Sequence, residues 1–152
     1  MPTFRFQAPL EELFLGEWFM IRSSNGFRKD KRNVRCQYTA TASHIEDEAF
    51  YQTVNSDTVK SVVGKDTACE GNVGVYSWQG KGLLRVASAR WEDWMLVFAH
   101  QSIFTSAAIN LMCRSQDGLN EEDMRLVEGW LSSVAENKFR QIVSNLADIK
   151  QE

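Results

Sequence analysis

Phe14-Leu15-Gly16-Glu17-Trp18 is the stretch that decides how this chain is read. It places a glycine and a tryptophan at the threshold of a run of strand formers over 17–24. From there to residue 115 the sequence reads as strands rich in Val, Thr, Tyr, Trp and Phe, separated by short turn signals. Strands are predicted over 17–24, 33–44, 48–55, 58–69, 72–79, 82–91, 94–101 and 104–115. Turns fall at Glu46-Asp47, Ser56-Asp57, Glu70-Gly71, Gly80-Lys81-Gly82, Glu92-Asp93 and Gln101-Ser102. A spacing of roughly 8–12 residues between strands points to a closed antiparallel sheet. The only prolines, Pro2 and Pro9, precede this region, so nothing in it removes a ladder donor.

After residue 119 the period changes from two to 3.6. Asn120 is placed to cap a helix, and Glu121, Glu122 and Asp123 put negative charge at its positive end. Val127, Trp130, Leu131 and Val134 form one apolar stripe. Phe139, Ile142, Val143 and Leu146 form a second at a different phase, so the helix is expected to kink or break near Glu136-Asn137. The whole is one domain. Residues 1–15 close the base of a barrel, 16–116 form it, and 119–148 are a helical tail packed outside.

Composition removes several classes of function. The 152 residues carry a net charge of −3 with both signs interspersed, which leaves no footprint for nucleic acid or an anionic membrane. No stretch approaches the ~20 apolar residues of a membrane span, and residues 1–9 lack the apolar core of a signal peptide. A cytoplasmic protein is expected, or a secreted one if a leader has been trimmed. Cys36, Cys69 and Cys113 are widely spaced and form no CxxC, so neither a zinc site nor a disulfide framework is expected. His44 falls in a turn and His100 on an outer face, so no Ser-His-Asp or metal constellation can be drawn. No metal or cofactor is expected, and no oligomer is indicated.

Gly16-Glu17-Trp18 resembles the Gly-x-Trp that opens the first strand of lipocalins. Arg114, at the close of the last strand before a capped helix, is similar to that family's lone arginine. Ala89-Arg90-Trp91-Glu92-Asp93-Trp94 resembles the family's Thr-Asp-Tyr turn, with Arg90 where aspartate is usual and tryptophans for tyrosines. In an up-and-down barrel the connections alternate between ends, so Trp18, the Trp91–Trp94 turn and Arg114 all fall at the same one. The resemblance implies an all-β, eight-stranded antiparallel barrel with an outer C-terminal helix. Gly16, Trp18, Trp91, Trp94 and Arg114 form its structural base, with the Arg114 guanidinium over the Trp18 indole.

Eight strands enclose an interior just wide enough for side chains or one small ligand. With Trp18 inward, alternation places Met20 and Arg22 inward. The family's strand phase adds Leu84, Val86, Met95, Val97, Ala108, Asn110 and Met112. The outward Leu96, Phe98, Ile109 and Leu111 are then apolar, as a helix-covered wall requires. The second strand contributes Val34, Cys36, Tyr38 and Ala40, and the fourth Val59, Ser61 and Val63. In the third and fifth strands alternation leaves two phases, Phe50-Gln52-Val54 against Tyr51-Thr53 and Tyr76-Trp78 against Val75-Ser77; Gln52, Val54 and Tyr76 are read as lining. Phe27 stands in the basic connection Asn25–Arg32 at the mouth. That connection is either a solvated loop or a lid that attracts an acidic ligand.

This mixed lining suits a small, mostly apolar, oxygenated molecule. Two functions are open. One is a binding protein; the other is a cofactor-independent biosynthetic isomerase, cyclase or pericyclase of terpenoid- or polyketide-like substrates. Tyr38, Arg22 and Asn110 would then polarise a carbonyl or move a proton. Cys36 stands where violaxanthin de-epoxidase-type and prostaglandin D synthase-type lipocalins carry a cysteine, and either packs as a small buried group or is activated by Arg35 or the basic loop.

Overall fold

In the computed structural model of the chain, residues 11–26, 30–71, 74–79, 81–103, 107–133 and 137–152 are described. A short helix α1 (Glu11–Phe14) leads into β1 (Gly16–Ser23), β2 (Lys31–Ala40), β3 (Ile45–Thr53) and β4 (Lys60–Ala68). Then follow β5 (Val75–Trp78), β6 (Gly82–Ala87), β7 (Trp94–Ala99) and β8 (Ala108–Cys113), with α2 (Glu121–Ser133), α3 (Asn137–Ser144) and a two-residue β9 (Ala147–Asp148). Each of β2 to β8 pairs antiparallel with its sequence neighbour, and β1 pairs with both β8 and β2, which closes the barrel. The expected architecture is present.

The base is built as the sequence suggests. Trp18 is fully buried and its indole N–H donates to the Phe14 carbonyl at 2.8 Å. The Arg114 guanidinium lies 3.6 Å from the centre of that ring. It also donates to the carbonyls of Leu13 (2.9 Å), Leu15 (2.8 Å) and Glu17 (2.9 Å), so it gives three backbone acceptors at the barrel base a donor. Gly16 is required here. Its φ of +100° disfavours any side chain, and a Cβ would meet Arg114 Nη1 at 3.0 Å. The Arg114 amide donates to Asp93 at 3.0 Å, which ties the β6–β7 turn to the same end. Trp91 packs into the interior and Trp94 into the outer layer.

Alternation along β7 and β8 sorts the apolar residues into two cores. Met95, Val97 and Met112 join Trp18, Met20 and Val86 inside the barrel. Trp94, Leu96, Ile109, Leu111 and Cys113 face the other way and are covered by Val127 and Leu131 of α2, with Ile142, Val143 and Leu146 beyond. Asn120 caps α2 by accepting from the Asp123 amide at 2.8 Å. Burial of a side chain such as Val127 or Leu131 contributes about 1.5–3 kcal/mol. α2 is described to Ser133 and α3 from Asn137; the kink or break expected near Glu136-Asn137 falls on the residues between them, outside those described.

The wall has one seam that sequence reading did not anticipate. β1 and β2 pair only from Gly16 to Phe19. Above that they splay, and residues 147–152 fill the gap. The Ile149 amide donates to Ile21 (2.8 Å), the Asn33 amide to Lys150 (2.8 Å), and Gln151 Nε2 to Met20 (3.0 Å) and Val34 (2.9 Å). Ile149 is 6% exposed and belongs to the interior core. The expected helical tail therefore ends as a strand-like strip in the barrel wall.

Candidate functional site

The interior falls into two zones. Toward the base, Phe14, Trp18, Val34, Cys36, Tyr38, Tyr76 and the three methionines Met20, Met95 and Met112 are buried against one another. Toward the mouth, inward positions remain partly accessible: Ala49, Tyr51, Leu84, Ala99 and Asn110, with Val62 more than half exposed. Filled floor and accessible cup meet around Val97 and Ala108, both 5% exposed. Val86, Met95, Val97, Ala108, Asn110 and Met112 thus occupy the inner face, as do Met20, Cys36, Tyr38, Tyr76 and Leu84.

Several of the expected lining positions lie elsewhere, and the backbone shows why. The β1–β8 register shifts between Met20 and Arg22, so a bulge at Ile21 turns Arg22 outward. There it pairs with Glu128 of α2 (3.0 Å) and Asp148 (2.8 Å). Ser23 takes the inward place and donates to Asn110 Oδ1 at 2.5 Å. In β3, Tyr38 faces Asp47 across the ladder, which puts Asp47, Ala49 and Tyr51 inside and Gln52 outside. Gln52 there accepts from Asn33 (2.6 Å) and donates to Asp57 (2.7 Å). Val54, just past β3, is 55% exposed. The turn before β3 is not at Glu46-Asp47. Thr41 builds it instead, donating to the His44 carbonyl (2.8 Å) and accepting from the amides of Ser43 (3.4 Å) and His44 (3.1 Å).

β4 is also one residue out of the expected phase. Ser61 pairs with Phe50 and Val63 with Glu48, both outward, so Lys60, Val62, Gly64 and Asp66 face in. Val59, Val62 and Val63 are each more than half exposed, so apolar alternation carried no signal for this strand. Phe27 lies outside the described residues. Of the basic loop, Arg32 is held by Asp57 and Glu152, each at 2.8 Å. Arg35 points outward, to Glu17 at 3.0 Å and over Phe50 at 4.2 Å, and so away from the buried Cys36, which leaves the reading of Arg35 as its activator without support.

The polar chemistry of the interior centres on residues that the sequence did not single out. Asp66 is fully buried, and neither carboxyl oxygen accepts from an N–H or hydroxyl of the protein. Asp47 lies beside it and shares a side-chain hydrogen bond that two carboxyl groups can make only with a proton between them, and Tyr38 and Tyr76 are near enough to feel its charge. Desolvation, and then the neighbouring Asp47, push its pKa up to about 9, so the pair holds one proton at neutral pH. Tyr38 is hydrogen-bonded to Cys36, and burial raises its pKa well above the usual phenol, with Cys36, Asp47 and Asp66 adding to the shift. Trp78 is the ladder partner of Asp66, and its indole lies across Gly64, where a Cβ would meet Nε1 at 2.7 Å. Among the described residues no cluster of His, Cys, Asp and Glu could hold a metal ion, and no helix is long and apolar enough to cross a membrane.

No protein-family model matches the sequence, and no curated protein does. Solved structures do match in shape. Insecticyanin from the tobacco hornworm superposes with a TM-score of 0.72 at 9% identity, covering 100% of this chain and 86% of its own. The cockroach allergen Per a 4 gives 0.73 at 8% identity, with 100% and 94% covered. The siderocalin Ex-FABP, described as functioning through dual ligand specificities, gives 0.67 at 10% identity, with 92% and 91% covered.

Proposed function

The chain has the lipocalin fold, and from that premise we propose that it binds a small, mostly apolar, oxygenated molecule inside the barrel. The observation that carries the proposal is the two-zone interior. A base sealed by Trp18 and Arg114 supports a cup of inward side chains, Tyr51, Val62, Leu84 and Asn110, that packing leaves partly uncovered. Apolar surface left open inside a closed sheet gains free energy when a ligand covers it, about 25 cal/mol per Å². The methionines beneath offer soft, adaptable contact. Ex-FABP, with its dual ligand specificities, shares the architecture and supports the reading.

The test is a titration with 1-methylnaphthalene followed by quenching of tryptophan emission, on the parent chain and on Leu84→Trp. Saturable quenching that weakens at least ten-fold when the added indole fills the cup supports the proposal. Equal affinity for both proteins would refute it.

One observation favours a second reading, a cofactor-independent isomerase or cyclase. The proton held between Asp47 and Asp66 beside Tyr38 gives an acid, a base and a phenol close together inside the barrel. In this reading Arg22, on the outer surface, has no part. Product analysis by mass spectrometry after incubation with extracts of the source separates the two, since a carrier returns its ligand unchanged.

A further inference from the structure

Asp66 is costly as it stands. A carboxyl group with no exposure, beside another carboxyl and with no N–H or hydroxyl donating to it, lowers stability unless something does so. The residues next along the two strands toward the mouth are small: Ala49 follows Asp47 on the inner face of β3, and Gly64 precedes Asp66 on that of β4. Asp47 and Ala49 are only partly buried although they point inward, so the acid pair is approached from the β3 side of the interior, while Gly64 is itself buried beneath the Trp78 indole. Trp78, lying across Gly64, forms one flat apolar wall of this recess. A buried acceptor short of donors and partly accessible inward residues of β3 meet at one place.

We propose that the Asp47–Asp66 pair is the floor of a recess that takes the hydrogen-bond-donating end of the ligand, a hydroxyl or an ammonium group, while the apolar body rests against Trp78 and the cup. The inference rests on the barrel-binding reading and narrows it. A donor group supplies what the Asp66 oxygens lack. A carboxylate would bring a third acidic group against two that already share one proton, and like charges at that range in a dry site repel strongly. The ligand class is therefore an amphipathic alcohol or amine and excludes fatty acids and other carboxylates.

The experiment compares four probes with one ring system: 1-naphthalenemethanol, 1-naphthylmethylamine, 1-naphthoic acid and 1-methylnaphthalene. Dissociation constants are read at pH 7 from quenching of tryptophan emission. The alcohol and the amine should each bind at least ten-fold more tightly than the acid, and in the double variant Asp47→Leu/Asp66→Leu the spread among the four should collapse to about two-fold. Asp47→Asn provides a second variant, which keeps the Asp66 carboxyl as acceptor but removes the charge the pair carries at pH 7; it should retain the alcohol while losing the preference for amine over acid. Far-UV circular dichroism of both variants confirms that they are folded. Naphthoic acid binding as tightly as the alcohol, or an unchanged order in Asp47→Leu/Asp66→Leu, overturns the inference while leaving barrel binding intact. If none of the four binds, 1-methylnaphthalene included, both proposals fall.

Discussion

Replacing Asp66 by asparagine should make this protein more stable, by an amount that grows with pH. The cause lies in the barrel. Burial, and then Asp47, raise the Asp66 pKa from 3.8 to about 9 on folding. Between those two values the folded chain holds a proton that the unfolded chain has released. Raising the pH therefore favours the unfolded state, by up to about 1.4 kcal/mol per pH unit. The loss begins near the unfolded carboxyl value and is complete once pH exceeds the folded one. The substituted amide binds no proton in either state and can still donate to Asp47. The stability gap between Asp66→Asn and the parent should therefore widen by about 3 kcal/mol from pH 5.5 to 8. For a domain of this size that is roughly 6–12 °C in Tm. Urea unfolding of both proteins at half-unit steps of pH, followed by circular dichroism, measures the gap directly. A gap that stays constant within about 0.5 kcal/mol, the spread of a neutral surface change, would refute the reasoning. So would a variant less stable than the parent at pH 8.

Other consequences follow from the same architecture. Arg114→Ala removes a stacked cation and three donors to backbone carbonyls, and should cost about 3–4 kcal/mol in urea unfolding; Arg114→Lys, which lacks the planar fork, should recover less than half of that. Ile149→Asp should release the strip that fills the β1–β2 seam, and the Asn33 amide, which donates to Lys150, should then exchange with solvent at least ten-fold faster in hydrogen-exchange NMR. Of the three free thiols, Cys36 and Cys113 are buried and Cys69 is only partly so. Burial, with Asp93 and Asp123 nearby, pushes the Cys113 thiol up to about 12. Ellman's reagent at pH 8 should therefore titrate one thiol quickly in the native protein and all three in denaturant.

The fold was legible because its signals are redundant. Trp18, the Trp91–Trp94 turn and Arg114 lie far apart in the chain, yet the alternating ends of an up-and-down barrel bring them together. The apolar outer faces of β7 and β8 required a covering helix, and Asn120 marked where it starts. The site was less legible, for physical reasons that differ from strand to strand. At Arg22 a single bulge reversed the facing of every residue after it, and no sequence signal announces an extra residue. Gln52 and Val54 were lost to a turn built by the Thr41 side chain, earlier in the chain than the expected one. In β4 both faces carry exposed valines, so Ser61 and Val63 could not be told from Lys60 and Val62 by hydropathy. That same slip hid Asp66, because an aspartate in a strand reads as solvent-facing until the pairing of Ile45 with Asp66 shows otherwise. The seam strip 147–152 is a tertiary arrangement, and its short run of mixed residues has no period to detect.

The most direct test is methyl NMR on protein saturated with 1-naphthalenemethanol, because alternation along each strand supplies an internal control. Intermolecular contacts and the largest shift changes should fall on Val62, Leu84 and Val97, which face the cup. Leu96, Ile109 and Leu111, one residue away in sequence from inward positions but beneath α2, should scarcely move. Contacts to Leu96 and Leu111 with Leu84 undisturbed would place the ligand on the outer wall and contradict binding within the barrel.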